Sequence, residues 1–193
     1  MSPRSPKQFQ DIRTEKRQRI LDSALMVFSQ KGYHGASISS IATEAKISKG
    51  LIYNYFHSKE SILKETLIAG MEYMFSQFIF DPNTISKADF SKHIIATFDQ
   101  IDEDFSYWRI YFSVIMQTEV MELIKTDMMN IAIPVFTNIS HYMAKYGFAD
   151  PEKEARFFSA TLDGLSLNYI TDPVGFPKEY CIDRIKSIYN LSE

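Results

Sequence analysis

Apolar positions recur at helical spacing through the chain, and the strict alternation of a strand is nearly absent. Ile20, Leu21, Ala24, Leu25 and Phe28 form a one-sided stripe, predicting a first helix from about Glu15 to Gln30 that stops at Lys31-Gly32. Ser37 then stands where an N-cap belongs, ahead of a short helix with Ile38, Ile41, Ala42 and Ala45 on its inner face. Ser48 caps a second short helix, Lys49 to Tyr55, with Ile52 and Phe56 turned inward. Ser58 caps a fourth, carrying Ile62, Leu63, Leu67, Met71, Met74 and Phe78. Two short helices joined by a tight turn and propped on a longer one make a helix-turn-helix, whose second short helix is shaped to enter a major groove.

Beyond Asp81-Pro82-Asn83 the pattern predicts a helix over about 87–101, then an aromatic segment and a long helix kinked at Pro134. Asp150-Pro151-Glu152 reads as a helix start, with Asp as N-cap and Pro at the first helical position. From Phe157 to Ile170 that helix is apolar on nearly every face, so something must cover all its sides. A second copy of a chain this short is the expected cover. The last helix begins at Pro177, with Tyr180, Cys181, Ile185, Ile188 and Tyr189 on one stripe.

Composition narrows the reading. The chain has 193 residues, 45% of them apolar and 23% charged, which is globular and not disordered. No apolar run reaches membrane-spanning length and no signal peptide opens the sequence, so no membrane association and a cytoplasmic location are expected. A single cysteine, Cys181, fits a reducing compartment. Net charge is −3, but Lys and Arg outnumber Asp and Glu ten to five in residues 1–60, and are outnumbered eleven to nineteen afterwards. A basic head on an acidic body suits a head that faces a polyanion. The four histidines show no metal-ligand spacing, and no catalytic grouping, nucleotide fingerprint or phosphate loop occurs. No enzyme, metal or cofactor is expected.

The segments Gly32-Tyr33-His34-Gly35-Ala36-Ser37-Ile38, Ile41-Ala42, Ile47-Ser48-Lys49-Gly50-Leu51-Ile52-Tyr53-Asn54-Tyr55-Phe56 and Ser58-Lys59-Glu60 resemble the N-terminal domain of the TetR family of bacterial regulators. The resemblance covers about residues 14–63. It implies an all-α protein with a flexible basic N-terminus (1–13), a three-helix DNA-binding domain (14–60) and a helical bundle for ligand binding and dimerisation (61–193). The implied function is that of a ligand-released repressor holding a palindromic operator in double-stranded DNA.

The residues carry separate physical roles. Ser48, Lys49, Gly50 and Leu51 open the recognition helix, where free backbone N–H groups and the helix dipole favour phosphate. Tyr53 and Tyr55 offer hydroxyls to phosphate or rings to thymine methyls, and Asn54 can read an adenine edge. Ser37, Ser39 and Thr43 can donate to the flanking backbone, with simple capping an equal reading for Ser37. Lys59 resembles a phosphate-contacting lysine of the family. Lys46 departs from the pattern, because many members have glycine in this turn; a positive φ there would be strained, while the basic side chain suits the DNA backbone.

In the body, aromatics at 14% and nine methionines exceed what a bundle of this size needs, although core packing is the ordinary role of each. With the cavity that the family resemblance implies, they point to a small apolar or amphipathic effector with Trp108, Phe112, Met116, Met128 and Phe136 as walls. His93, Gln117 and Asn130 are candidate polar anchors. The resemblance also implies dimerisation through about residues 151–171 and 177–191. A helical adaptor with a basic head, or a ligand-dependent activator, are the alternative readings.

Overall fold

In the computed structural model, which describes residues 6–191, nine α-helices and no strand occur among the described residues. The helices are α1 (Pro6–Gly35), α2 (Ile38–Glu44), α3 (Lys49–Tyr53), α4 (Lys59–Phe75), α5 (Lys87–Glu103), α6 (Phe105–Ile115), α7 (Thr118–Lys145), α8 (Pro151–Thr171) and α9 (Lys178–Ile188). A 3₁₀ turn, Ser76–Phe78, follows α4. No described helix is long and apolar enough to cross a membrane.

Two compact units divide the chain. The first takes in the chain through Gly70 together with Ser113–Lys125; the second holds Met71–Phe112 and everything from Thr126. The chain passes between them within α4, α6 and α7. The division therefore falls ten residues later than the boundary read from sequence, and a piece of the expected body belongs to the head.

In the first unit the predicted stripe of α1 is buried without exception, as are Ile38, Ile41, Ala42, Ile52, Phe56, Ile62, Leu63 and Leu67. Val120 and Ile124 of α7 add to this core. Helix α1 starts at Pro6, inside the segment expected to be flexible; residues 1–5 lie outside the described residues. Gly32 interrupts α1 at φ 66° and ψ 170°. That backbone region is essentially closed to side-chain-bearing residues, so the break belongs to glycine. Arg17 closes the α1–α4 pairing with an ion pair to Glu65.

Among the described residues, three helices end in one motif. Beyond α7, the Gly147 N–H donates to the Ala144 carbonyl and Phe148 N–H to Met143; beyond α9, Asn190 donates to Ser187 and Leu191 to Lys186. Beyond α2, Lys46 donates to Thr43 and Ile47 to Ala42. These are Schellman closures, which require a left-handed residue after the cap. Gly147 (φ 81°), Asn190 (φ 51°) and Lys46 (φ 54°) fill that position.

The second unit is built on α5, whose Phe90, Ile94, Phe98 and Ile101 are fully buried; the helix packs against α8, with Phe90 beside Phe158 and Phe98 beside Tyr169, and against α9, where Ile182 and Ile185 are buried. Phe90 and Tyr142 stack at 3.9 Å between ring centroids. Helix α7 runs on through Pro134 to Lys145. Asn138 pins the 3₁₀ turn, its Nδ2 donating to the carbonyls of Phe78 (2.9 Å) and Phe80 (2.7 Å). At the start of α8, Pro151 occupies the first helical position as read, but Asp150 makes no side-chain cap and instead lies 3.4 Å from Lys153.

Candidate nucleic-acid interface

The head builds its recognition surface from two short helices that could not persist alone, because each has too few internal hydrogen bonds to repay nucleation. Caps and buried apolar residues supply the difference. Ser37 Oγ accepts from Ser40 N–H (3.1 Å) and Ser40 Oγ accepts from Ser37 N–H (3.0 Å), a reciprocal capping box. Ser48 Oγ accepts from Leu51 N–H at 3.2 Å, and Asn54 is the C-cap residue of α3. Helix α3 thus ends two residues before the predicted Tyr55. Ser58 and Ser61 form a second reciprocal box at the start of α4, with Glu60 in its first turn.

With Ile52 and Phe56 buried, Lys49, Gly50, Tyr53 and Asn54 are exposed, and Lys46 stands exposed in the preceding turn. No heavy atom comes within 4 Å of a Cβ built on Gly50. Leu51 and Tyr55 are half-buried. The Arg13 guanidinium lies 5.6 Å from the centre of the Tyr55 ring, which brings a basic side chain of α1 to the end of the recognition helix.

Other candidates are committed within the protein. Thr43 Oγ1 donates its proton to the Ser39 carbonyl (3.0 Å), leaving it an acceptor. Lys59 Nζ donates to the carbonyls of Tyr33 (2.6 Å) and Ala36 (3.0 Å) and sits 4.2 Å from the Tyr33 ring centre. The ammonium therefore fastens the α1–α2 corner to the start of α4. Ser48 differs from both, since a hydroxyl accepting from a backbone N–H still has its own proton to give.

Gln117 was a candidate anchor for a small molecule, and the structure gives it another place. Its Oε1 accepts from Tyr33 N–H (3.2 Å), and its Nε2 donates to the Phe28 carbonyl (3.3 Å). One side chain thereby satisfies two backbone groups where Gly32 breaks α1. His34 lies 3.8 Å from Glu119 in the same corner.

Of the five residues read as effector walls, Phe136 lines the grooves beside α7. Trp108 is core, its indole N–H donating to the Gln100 carbonyl at 2.8 Å. Phe112 is half-buried beside Trp108 and Tyr111, Met128 is half-buried, and Met116 is exposed at the end of α6. Asn130 lines a groove, and His93 stacks on Phe80 at 5.3 Å.

The stretch that forms this surface, residues 20–66, matches the family model of bacterial regulatory proteins of the tetR family. The head carries a TetR-type DNA-binding domain. It is 51% identical over 53 residues to the uncharacterized HTH-type transcriptional regulator YuxN of Bacillus subtilis, an alignment that covers 28% of this chain and 18% of YuxN. The aligned segment thus spans about a fifth of that relative. Solved structures extend the likeness in fold over most of the chain. The SmeT–triclosan complex superposes with a TM-score of 0.73 at 17% identity, covering 90% of this chain and 91% of that one. FadR from Bacillus subtilis in complex with stearoyl-CoA gives 0.68 at 20%, covering 90% and 96%. At such identities the likeness is one of fold.

Proposed function

We propose that this chain is a transcription repressor that holds a palindromic operator as a homodimer and releases it when a small apolar or amphipathic molecule binds the second unit. The observation that carries the reading is the capped helix-turn-helix, with Lys46, Lys49, Tyr53 and Asn54 exposed on and beside α3 inside the family-matched stretch. Lys46, Lys49 and Ser48 serve phosphates, joined by Arg13. Tyr53, Asn54 and Tyr55 reach base edges and sugars, Gly50 and Leu51 let the backbone approach, and Ser37, Thr43 and Lys59 hold the corner that presents them.

Dimerisation rests on α8 and α9. Phe157 (57% exposed) and Leu167 (39%) stand on the outer face of α8, with Ala160 and Gly164 between them, and no heavy atom comes within 4 Å of a Cβ built on Gly164. Tyr180 and Ile188 are exposed on α9. Large apolar side chains flanking small ones let a two-fold mate approach closely, and a two-fold dimer presents two recognition helices about one turn of DNA apart. Helix α4 links the functions, since one end carries Lys59 in the head and the other carries Glu72 and Phe75 on a groove of the second unit. An effector that prefers one setting of α4 shifts the operator-binding population by its differential affinity.

Titrating the protein against fluorescein-labelled genomic fragments over a range of salt tests the reading. Each phosphate neutralised lowers log K by about 0.9 per decade of salt. A steep linear decline is expected; binding insensitive to salt, or none to any fragment, contradicts it and favours the adaptor.

A further inference from the structure

Beside the C-terminal end of α4 lies a groove of about 440 Å³ walled by Phe75, Phe78, Phe80, Ile131 and Val135, with Glu72, Asn130 and Asn138 as its polar points. A second, narrow cavity of about 30 Å³ shares Phe75, Phe78 and Val135 with it and is lined also by Phe136, Phe158 and Asp163. The Asn138 bonds to the Phe78 and Phe80 carbonyls hold this wall in shape.

The charge of the lining is one-sided. Glu72 and Asp163 are its ionisable groups, and no Lys, Arg or His lines either part. Pro134, which also lines the groove, has no N–H to give the carbonyl of Asn130 one turn earlier. Two basic residues lie nearby. His93 stacks on Phe80, and burial lowers its pKa, so it stays uncharged near neutrality. The Arg156 guanidinium is held 4.4 Å from the Phe136 ring centre and lines the separate α7–α8 groove.

Asp163 is the unusual member. It sits on the flank of α8 beside Ser159, and none of the described residues gives it an ion pair or a hydrogen bond. Its side chain is exposed, yet partial desolvation of the carboxyl against α8 and its neighbours pushes it up to about 6. An unpaired carboxylate beside an aromatic slot suits a cation that brings its own apolar body.

We propose that this cavity takes a lipophilic organic monocation, an alkyl- or arylammonium, with its charge beside Asp163 and its body along Phe75, Phe78 and Val135. The proposal rests on the effector-sensing reading above and names the chemical class of the effector. Apolar walls supply affinity for any greasy molecule, and the unopposed carboxylates select the sign of its charge.

Three probes of one shape test it by calorimetry on the full chain: phenylbutyl-trimethylammonium, the uncharged phenylbutanol and the anionic phenylbutyrate. The ammonium should bind at least about tenfold more tightly than the alcohol, as one partly solvated charge contact implies, and the carboxylate most weakly. Asp163→Asn should erase the preference for the ammonium while sparing the alcohol, and Phe75→Leu should weaken ammonium and alcohol together. Circular dichroism of each variant establishes that it is folded. Phenylbutyrate binding as tightly as the ammonium, or a cation preference that survives Asp163→Asn, overturns the proposal. DNA titration of the same samples separates the two readings. Salt-sensitive DNA binding without cation preference removes this inference alone; cation preference without DNA binding upholds it and removes the repressor reading.

Discussion

Lys46 adopts a left-handed backbone that glycine or asparagine provides at the two equivalent helix ends. For a residue with a Cβ this conformation costs about 1 kcal/mol relative to glycine. Lys46→Gly removes that cost, but it also frees the unfolded chain, which returns about 0.4–1 kcal/mol to the unfolded side. The Lys46 side chain is exposed, so little packing is lost. The net expectation is stabilisation by about 0.5 kcal/mol or less, a rise in Tm of about 1–2 °C for a chain of this length. DNA binding should move the other way. Loss of one phosphate contact weakens it on all sequences alike and reduces the salt slope by about 0.9. Lys46→Ala separates the two effects, since it keeps the backbone cost and loses the charge. It should match wild type in thermal unfolding and match Lys46→Gly in salt-varied anisotropy. A clear fall in Tm for Lys46→Gly would refute the reasoning, as would a salt slope that does not change.

Three further outcomes are expected. Gln117→Ala leaves the Tyr33 N–H without its acceptor and should cost about 1–3 kcal/mol, with faster exchange of the Tyr33 amide; unchanged exchange contradicts the role given to Gln117. Gly164→Arg improves helix propensity in the monomer but fills the close-approach position of α8, so light scattering should show the 22.4 kDa monomer in place of a dimer. A persistent dimer would place the interface elsewhere. Because the Asp163 carboxyl is raised in the folded state, the native protein binds more protons than the unfolded one between about pH 4 and pH 6, and stability is lost as pH rises through that window. Asp163→Asn should therefore raise Tm at about pH 7.5 and give no gain at about pH 4; an equal gain at both pH values contradicts the assignment.

The head was legible because its signals are local. Ser37, Ser48 and Ser58 each cap the helix that follows within a few residues, and the buried stripe of α1 is written in one turn after another. Lys46 was legible for the same reason, as a departure within a short motif. Gln117 was not, because its partners lie 84 and 89 residues away and nothing in its neighbourhood marks the broken helix it repairs. Arg13 was lost to the expectation of a flexible N-terminus, although α1 starts at Pro6. In the body, aromatic abundance pointed to a cavity without showing which rings line it. Trp108 and Phe136 look alike in sequence, and only the buried bond from the Trp108 indole to Gln100 assigns one to the core. Asp163 drew no notice, since a carboxylate in an apolar helix becomes unusual only when its surroundings offer no cation.

Sequence-specific recognition of DNA by a two-fold pair of α3 helices is what the repressor reading requires. Repeated selection of random duplexes by the full-length protein at about physiological salt, followed by sequencing, tests it most directly. One inverted repeat should be enriched, with half-sites about one helical turn apart, and the enrichment should be lost when Tyr53 and Asn54 are replaced by alanine. Enrichment of a single unrepeated motif, or of no motif at all, would contradict it.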